Sequence, residues 1–523
     1  MPDYDVIIVG AGHNALVCGG YLAQAGYRVL MLERRPVVGG AVVTEEHIPG
    51  FRFDLGGSAH ILINHTPIVE DLKLAGYGLE YLDLDPLFFA PYPDGSHLTM
   101  WRDVDRTCES IAAVCPEDAD NYRAFIRQWQ PIAEEMVNVF LRPPTPLNVG
   151  RYLGWRMFRR SDDFLATVSD AIRGYGQFLR RQFASSQVQA LIGWMAAQSG
   201  PPPTEPLSSP FALWHPMYHL SGAKRPRGGS GMLTQALARM IAAHGGTIVT
   251  NTPVRRILYD GGRVAGVETA AGERFTARVV VSGAHVHTTL RMLADAPLPR
   301  RARKLIQGAR VGNGFGMIVR YAMDELPNYT ALPSPPNGAG PQHVALQFIC
   351  PDLDYLDRAY GDYLGKRPSE APGLVAMTFS AIDHTLAPPG KHILFLWGQY
   401  YPYELASGES WDDAGPREAD HMLATLARYA PNVTGAVRGQ LIETPLYLER
   451  ELGLLRGNVM HLEMSFDQMF MMRPALSMSN YRGPLKGLYF TGASTHPGGG
   501  IMGAAGRNAA GVLLHDLSRR RWW

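Results

Sequence analysis

The sequence predicts an α/β protein with a Rossmann-like dinucleotide-binding core, a mixed-sheet second domain and a helical subdomain between them. Three observations carry this expectation. The chain opens on a strand, glycine turn, helix and second strand. It closes on another strand, glycine-rich turn and helix. Between these units, helix-rich and strand-rich stretches alternate across Pro/Gly breaks. With 523 residues, 46% of them hydrophobic, the chain is long enough for two or three domains with a full core.

The opening unit is DVIIVGAGHNALVCGGYLAQAGYRVLMLERRPVVGG, residues 5–40. Residues 6–9 form an apolar strand, and Gly10, Gly12 and Ala15 fit G-x-G-x-x-G/A. Gly10 supplies the tight turn, Gly12 lets a pyrophosphate approach the backbone, and Ala15 lets the helix pack on the sheet. The helix N-terminus then offers free N–H groups and a positive dipole end. Gly26 ends that helix and 29–32 form the next strand, with Glu33 at the spacing that binds a ribose 2′-hydroxyl. A carboxylate there repels a 2′-phosphate, so NADP is disfavoured. Gly39 and Gly40 follow, an extension that resembles the FAD-binding fingerprint of the amine-oxidase and phytoene-desaturase flavoproteins, and that resemblance implies FAD rather than NAD.

The FAD-binding domain is expected in three pieces: 1–100, 225–299 and 441–523. The insert 101–224 is read as a helical, substrate- and membrane-facing subdomain, and 300–440 as the substrate-binding domain. At the C-terminal end, 488–491 form a short strand, Gly492 and the run Gly498, Gly499, Gly500 permit close backbone approach, and a helix starts near Met502 with small residues on one face. Such a helix N-terminus can stabilise a reduced flavin.

A net charge of +1 implies no nucleic-acid partner. Four scattered cysteines contain no C-x-x-C and indicate a reducing cytoplasm. The N-terminus runs straight into the first strand, so no signal peptide is expected. No apolar run approaches the ~20 residues of a membrane span. His215 and His219 straddle Pro216, which argues against a regular helix there, and His285 and His287 have no neighbouring ligand, so no metal is expected. No second dinucleotide fingerprint is present, so reduced flavin is expected to pass electrons to oxygen or a quinone.

The whole chain resembles the phytoene-desaturase superfamily of FAD enzymes, whose Rossmann-like domain is of the glutathione-reductase/amine-oxidase type. It is most similar there to the bacterial desaturase-like β-carotene ketolases. The shared stretches include GAGHNALV (10–17), ERRPVVGGAV (33–42), GGSAHILI (56–63), MAAQSGPPP (195–203), WHPMYH (214–219), GNVMHLEMSFDQMF (457–470) and TGASTHPGGGIMGA (491–504). The resemblance implies Gly10, Gly12 and Ala15 at the pyrophosphate, Glu33 at the adenosine ribose and Arg34 near the adenine. It further implies Gly39 and Gly40 along the cofactor, Val254 at the adenine through its backbone, and Gly492 with Met502 and Gly503 near pyrophosphate and flavin. Gly492–Ala493 departs from the Gly-Asp of many flavoproteins, as desaturases often do.

The implied activity is ketolation at the allylic C4 of a β-ionone ring, with a carotenoid desaturase or isomerase and a non-catalytic carotenoid-binding scaffold as alternatives. A soluble amine oxidase is a poor match, because the C-terminal glycine motif carries no lysine. Three residues are candidates for chemistry beside the flavin. His60 sits in the GGSAH turn, and Glu463 and Asp467 share a face if 461–470 is helical. Each has a structural alternative: a satisfied histidine, and a cap or surface pair. His496 is expected to orient its loop. The stretch 151–165, aromatic and arginine-rich, and the tail 519–523 (RRRWW) read as contacts to a lipid membrane surface, and the protein as cytoplasmic and peripherally membrane-associated.

Overall fold

The computed structural model describes residues 2–161, 163–336 and 338–518. Its first sheet holds five parallel strands in the order Thr247–Val249, Val29–Leu32, Tyr4–Val9, Arg274–Ser282 and Leu488–Phe490. The hairpin Val254–Asp260 and Arg263–Thr269 adds to the outer half of Arg274–Ser282, antiparallel. Val6, Ile7 and Ile8 are fully buried, as an unbroken apolar run must be when helices cover both faces of a parallel sheet. Helices His13–Gln24, Met232–Ala243 and Ala504–Ser518 pack on one face. Val286–Met292 and Arg300–Gln307 contribute to the core on the other. Gly26, at φ +85°, ends the first helix and turns the chain into Val29–Leu32.

The second sheet is mixed and seven-stranded: Val437–Glu443, Gly314–Met323, His392–Pro402, Leu374–Met377, Leu346–Ile349, Phe88–Pro91 and His97–Met100. Its neighbours are antiparallel except Leu346–Ile349 with Phe88–Pro91. Residues 88–91 and 97–100 therefore join this sheet, and the segment 1–100 spans both. Helix Trp411–Ala427 covers one face. The other face packs against the helices between 104 and 221, of which Pro116–Phe140 is 25 residues long. Strand Ala223–Pro226 pairs with Tyr81–Leu84 and leads the chain back.

Two local expectations are corrected. Trp214–Ser221 is helical: Pro216 falls in its first turn, where an amide has no helical acceptor to lose. The segment 461–470 is not α-helical; 466–468 form a 3₁₀ turn and Glu463 lies before it. No helix among the described residues is long and apolar enough to cross a membrane.

Candidate active site

A cavity of about 540 Å³ opens where the parallel strands end. Val9 and Leu32 close their strands into it, and Gly283 and Gly492 enter just beyond theirs. Ligands of open α/β sheets bind at this carboxyl edge. The second sheet closes the far side with Leu346, Met377, Phe395 and Trp397.

The first glycine turn leaves room for a ligand. Gly10 has φ +86°, and its amide donates to Leu32 O at 2.8 Å. Gly12 starts helix His13–Gln24 with no side-chain cap, and the helical bonds begin with Leu16 N to Gly12 O, leaving the preceding amides without helical acceptors. A Cβ added at Gly12 would meet no protein atom within 4 Å and would project into the cavity region. The turn is braced from behind. Gly39 donates to Ala11 O at 2.8 Å, and a Cβ on it would sit 2.3 Å from Val42 O. A Cβ on Gly40 would come within 3.1 Å of Gly12 Cα. Ala15 is small because Gly283 faces it, a Cβ there lying 2.8 Å from the Ala15 methyl.

The acidic end is equally fixed. Glu33 is 6% exposed; Oε2 accepts from Ala11 N at 2.7 Å and Oε1 from Arg35 N at 2.9 Å. Val254 and Gly453 line the cavity with it. Arg34 donates to Glu451 O at 2.8 Å, latching the 450–453 loop over this end. The C-terminal turn completes the wall through Gly492, Ala493, Gly499, Gly500 and Ile501. Met502 and Gly503 lie behind that wall rather than in it: Met502 is 3% exposed, and a Cβ on Gly503 would strike Ile68 at 2.7 Å. The wall residue is Ile501, whose side chain lies 2.6 Å from where a Cβ on the lining residue Gly57 would stand. Gly39 likewise lies one residue behind, with Gly40 on the surface.

The three candidates for chemistry lie off this cavity. His60 is fully buried behind the 56–59 loop, sharing hydrogen bonds with Tyr81 Oη (2.9 Å) and Ser230 Oγ (2.8 Å). Burial pulls its pKa down to about 3, so it is a neutral anchor. Glu463 and Asp467 clasp Arg310 at 2.7 and 2.9 Å on the exposed rim of a second chamber. That chamber, about 170 Å³, shares Ser199, Met460 and Met464 with the main one. His496 is buried and donates from Nε2 to Val139 O at 3.1 Å.

The 56–59 loop, part of the GGSAH turn singled out in the sequence, enters the cavity, held by the buried Arg320–Glu443 pair (2.8 Å) and by Arg320 donating to Gly56 O (3.2 Å). Other lining residues escape a sequence reading. His13, His285 and His461 also line the cavity. Burial pulls His13 and His285 down to about 4 and holds His461 well below the imidazole range, so all three are neutral at pH 7. His285 and His461 stack at 5.3 Å, and His461 sits at φ +65°, a left-handed conformation uncommon outside glycine. The pair H-x-H after a strand was the available signal; its partner His461 is 176 residues away. Among the described residues, no group of three or more His, Cys, Asp or Glu is arranged to hold a metal.

Residues 16–362 match the family described as flavin containing amine oxidoreductase. Pyridine nucleotide-disulfide oxidoreductase domain-containing protein 2 of Rattus norvegicus is 33% identical, over 99% of this chain and 94% of that protein. A limonene dehydrogenase polypeptide of Castellaniella defragrans is 28% identical (99% and 96%). The lycopene-forming phytoene desaturase of Pantoea ananas is 27% identical (98% and 99%). The solved cyclohexylamine oxidase of Brevibacterium oxydans superposes with a TM-score of 0.59 at 18% identity, over 99% and 100% of the chains, sharing the fold. The cofactor is FAD, and the cavity suits it: an open glycine cradle at an uncapped helix start, a buried carboxylate at one end and a second glycine turn.

Proposed function

The chain belongs to the flavin containing amine oxidoreductase family, and from that premise we propose that it oxidises a carotenoid-type isoprenoid hydrocarbon at an allylic C–H. Bound FAD supplies a two-electron acceptor for the hydride. Gly10, Gly12 and the amides at the start of helix His13–Gln24 would hold its pyrophosphate. Glu33 would hold the adenosine ribose with Arg34 and Val254 beside the adenine, and Gly492 would approach the cofactor from the opposite turn.

The observation that carries the substrate reading is the wall facing the glycine turns. Trp214, Tyr218, Leu346, Met377, Phe395, Trp397 and Met464 line it beside Gln198 and Ser199; among the described residues the cavity has no aspartate or lysine, and its two glutamates are Glu33 and Glu449, next to Arg34 and the 450–453 loop. Such a wall gives a cationic amine no counter-ion, whereas a hydrocarbon needs shape and dryness. Flexible methionines suit a long, featureless substrate. Limonene and phytoene, in the names of two relatives, are both isoprenoid hydrocarbons. The finer reading is a 4-ketolase of β-ionone rings, the oxygen coming from water or O₂. Desaturation is the second reading, favoured by the phytoene-desaturase relatives, and it shares the first hydride removal. The same substrate implies docking at a lipid surface, through the exposed face between 147 and 172.

Expression in bacteria that make β-carotene or phytoene, followed by pigment chromatography with mass detection, tests the proposal. A gain of one or two carbonyl oxygens establishes the ketolase. Loss of hydrogen alone establishes the desaturase. Unchanged pigments beside FAD-loaded protein overturn the carotenoid reading.

A further inference from the structure

Arg473 is fully buried, yet it has no carboxylate partner among the described residues. Its guanidinium donates to five backbone carbonyls instead. Nε and Nη2 reach Ala493 O at 3.1 and 2.7 Å. Nη2 also reaches Met460 O (2.6 Å) and Leu462 O (3.4 Å), and Nη1 reaches Glu463 O (3.2 Å) and Gln468 O (3.3 Å). A buried charge is normally paired, because desolvation is costly. The other large buried guanidinium groups here follow that rule: Arg225 meets Asp54 and Arg320 meets Glu443, each at 2.8 Å.

The place of this lone cation is informative. Ala493 and Met460, whose carbonyls it holds, both line the main cavity, and its Cζ lies 3.5 Å from where a Cβ on Gly498 would stand. It therefore sits one residue layer behind the wall formed by the C-terminal glycine turn. Its charge reaches the cavity surface: it helps depress the pKa of His285 and of His461, both lining residues. Burial pulls its own pKa down to about 9, which still leaves it protonated at neutral pH.

We propose that Arg473 is an electrostatic positioning residue for the flavin, its unpaired buried charge matched to the negative charge that the cofactor gains when it accepts a hydride. FAD plus H⁻ gives the anion FADH⁻, so a fixed cation nearby binds the reduced form more tightly than the oxidised form and raises the midpoint potential. The carbonyl cage orients the guanidinium without neutralising it, and the missing carboxylate is what leaves its charge available. This inference rests on the flavin and not on the isoprenoid reading, so the pigment experiment can fail without touching it.

The test is the midpoint potential of FAD-loaded wild type, Arg473→Met and Arg473→Lys, measured by dye-coupled reduction without substrate. Arg473→Met should bind reduced relative to oxidised flavin at least tenfold less tightly, a fall of about 30 mV or more for a two-electron couple. Arg473→Lys keeps the charge and loses part of the cage. It should melt at a lower temperature than wild type while keeping most of the potential. A purely structural role predicts unchanged potentials in both variants, and that result overturns the proposal. If Arg473→Met yields no holoprotein, Arg473→Gln replaces it as the neutral variant. Sulfite titration of the wild type then supplies an independent arm. Sulfite adds to oxidised flavin and brings a negative charge, so it should bind the holoprotein at least tenfold more tightly than free FAD. Affinity no better than for free FAD overturns the proposal.

Discussion

Gly12 faces the cavity at the start of helix His13–Gln24, where no side chain caps the helix. Any side chain at this position enters the space where a pyrophosphate would lie, and an acidic one adds repulsion at close range. Gly12→Glu should therefore fold and yield colourless protein, read as a loss of flavin absorbance with an intact far-ultraviolet spectrum; yellow holoprotein would remove Gly12 from the phosphate site. The places of Gly10, Gly12, Ala15 and Glu33 at the cavity were legible because they are set within about 25 residues of chain: a turn, a helix start and the end of the next strand. Arg473 and His461 were not legible. Arg473 is fixed by carbonyls of the 460–468 segment and Ala493, and His461 owes its setting to a histidine 176 residues away. The motif TGASTHPGGGIMGA promised Met502 and Gly503 at the flavin, yet the chain there turns one residue earlier and presents Ile501. A motif gives the turn; which of its residues faces the ligand depends on what packs behind it, here Ile68 and Val17.

The glycine turns do not hold themselves, and neutral histidines clamp them to the surrounding elements. His13 shares a hydrogen bond with Asn14 Nδ2 at 3.0 Å in the first turn of its helix, and His285 donates from Nε2 to His461 O. His496 ties the C-terminal turn to the end of helix Pro116–Phe140 through Val139 O, and His60 holds the 56–59 loop through Tyr81 and Ser230. Burial lowers each of these rings, to about 4 for His13, His285 and His496 and to about 3 for His60. The unfolded chain takes up these protons near pH 6.5, while the folded chain resists them until about pH 4. Their contribution is thus complete above pH 6.5 and is lost as pH falls toward 4. At pH 5 the loss is on the order of 2 kcal/mol for each ring. The melting temperature should drop steeply between pH 6.5 and 4.5, with flavin fluorescence appearing in solution over the same range, and His60→Gln should flatten the melting curve. A holoprotein that keeps both its flavin and its melting temperature down to pH 4.5 would show that these clamps do not govern the site. Element type and order along the chain were readable from apolar periodicity. The placement of 88–100 was not, because pairing with Leu346–Ile349 joins segments about 250 residues apart, and local pattern cannot choose between two sheets.

Among the described residues, a run of large apolar side chains between 147 and 172 is exposed, remote in sequence from both glycine turns. Leu147, Trp155, Phe158, Leu165 and Ile172 are between 51% and 80% exposed. Trp155 and Phe158 stack at 6.0 Å, and Phe164 meets Phe158 edge-on at 5.3 Å. Arg151, Arg156, Arg159 and Arg160 belong to the same turns, Gly150–Arg156 and Met157–Arg160. Isolated exposed leucines are ordinary, but a cluster of aromatic and aliphatic side chains interleaved with arginines suits the boundary between acyl chains and anionic headgroups. The tail 519–523, expected to add to this contact, lies outside the described residues. If the face docks on a bilayer, each large side chain removes apolar surface from water and contributes about 1 kcal/mol or more. Replacing Trp155, Phe158 and Leu165 together by serine should then weaken binding to anionic liposomes roughly a hundredfold. The same variant should keep its flavin spectrum and its midpoint potential, because none of the three lines the cavity. It should lose turnover of a bilayer-dissolved carotenoid while retaining flavin bleaching by the same carotenoid presented in detergent. That split separates docking from chemistry. Unchanged liposome binding would assign the arginine-flanked face to something other than a membrane, and loss of bleaching in detergent as well would place these side chains on the substrate path itself.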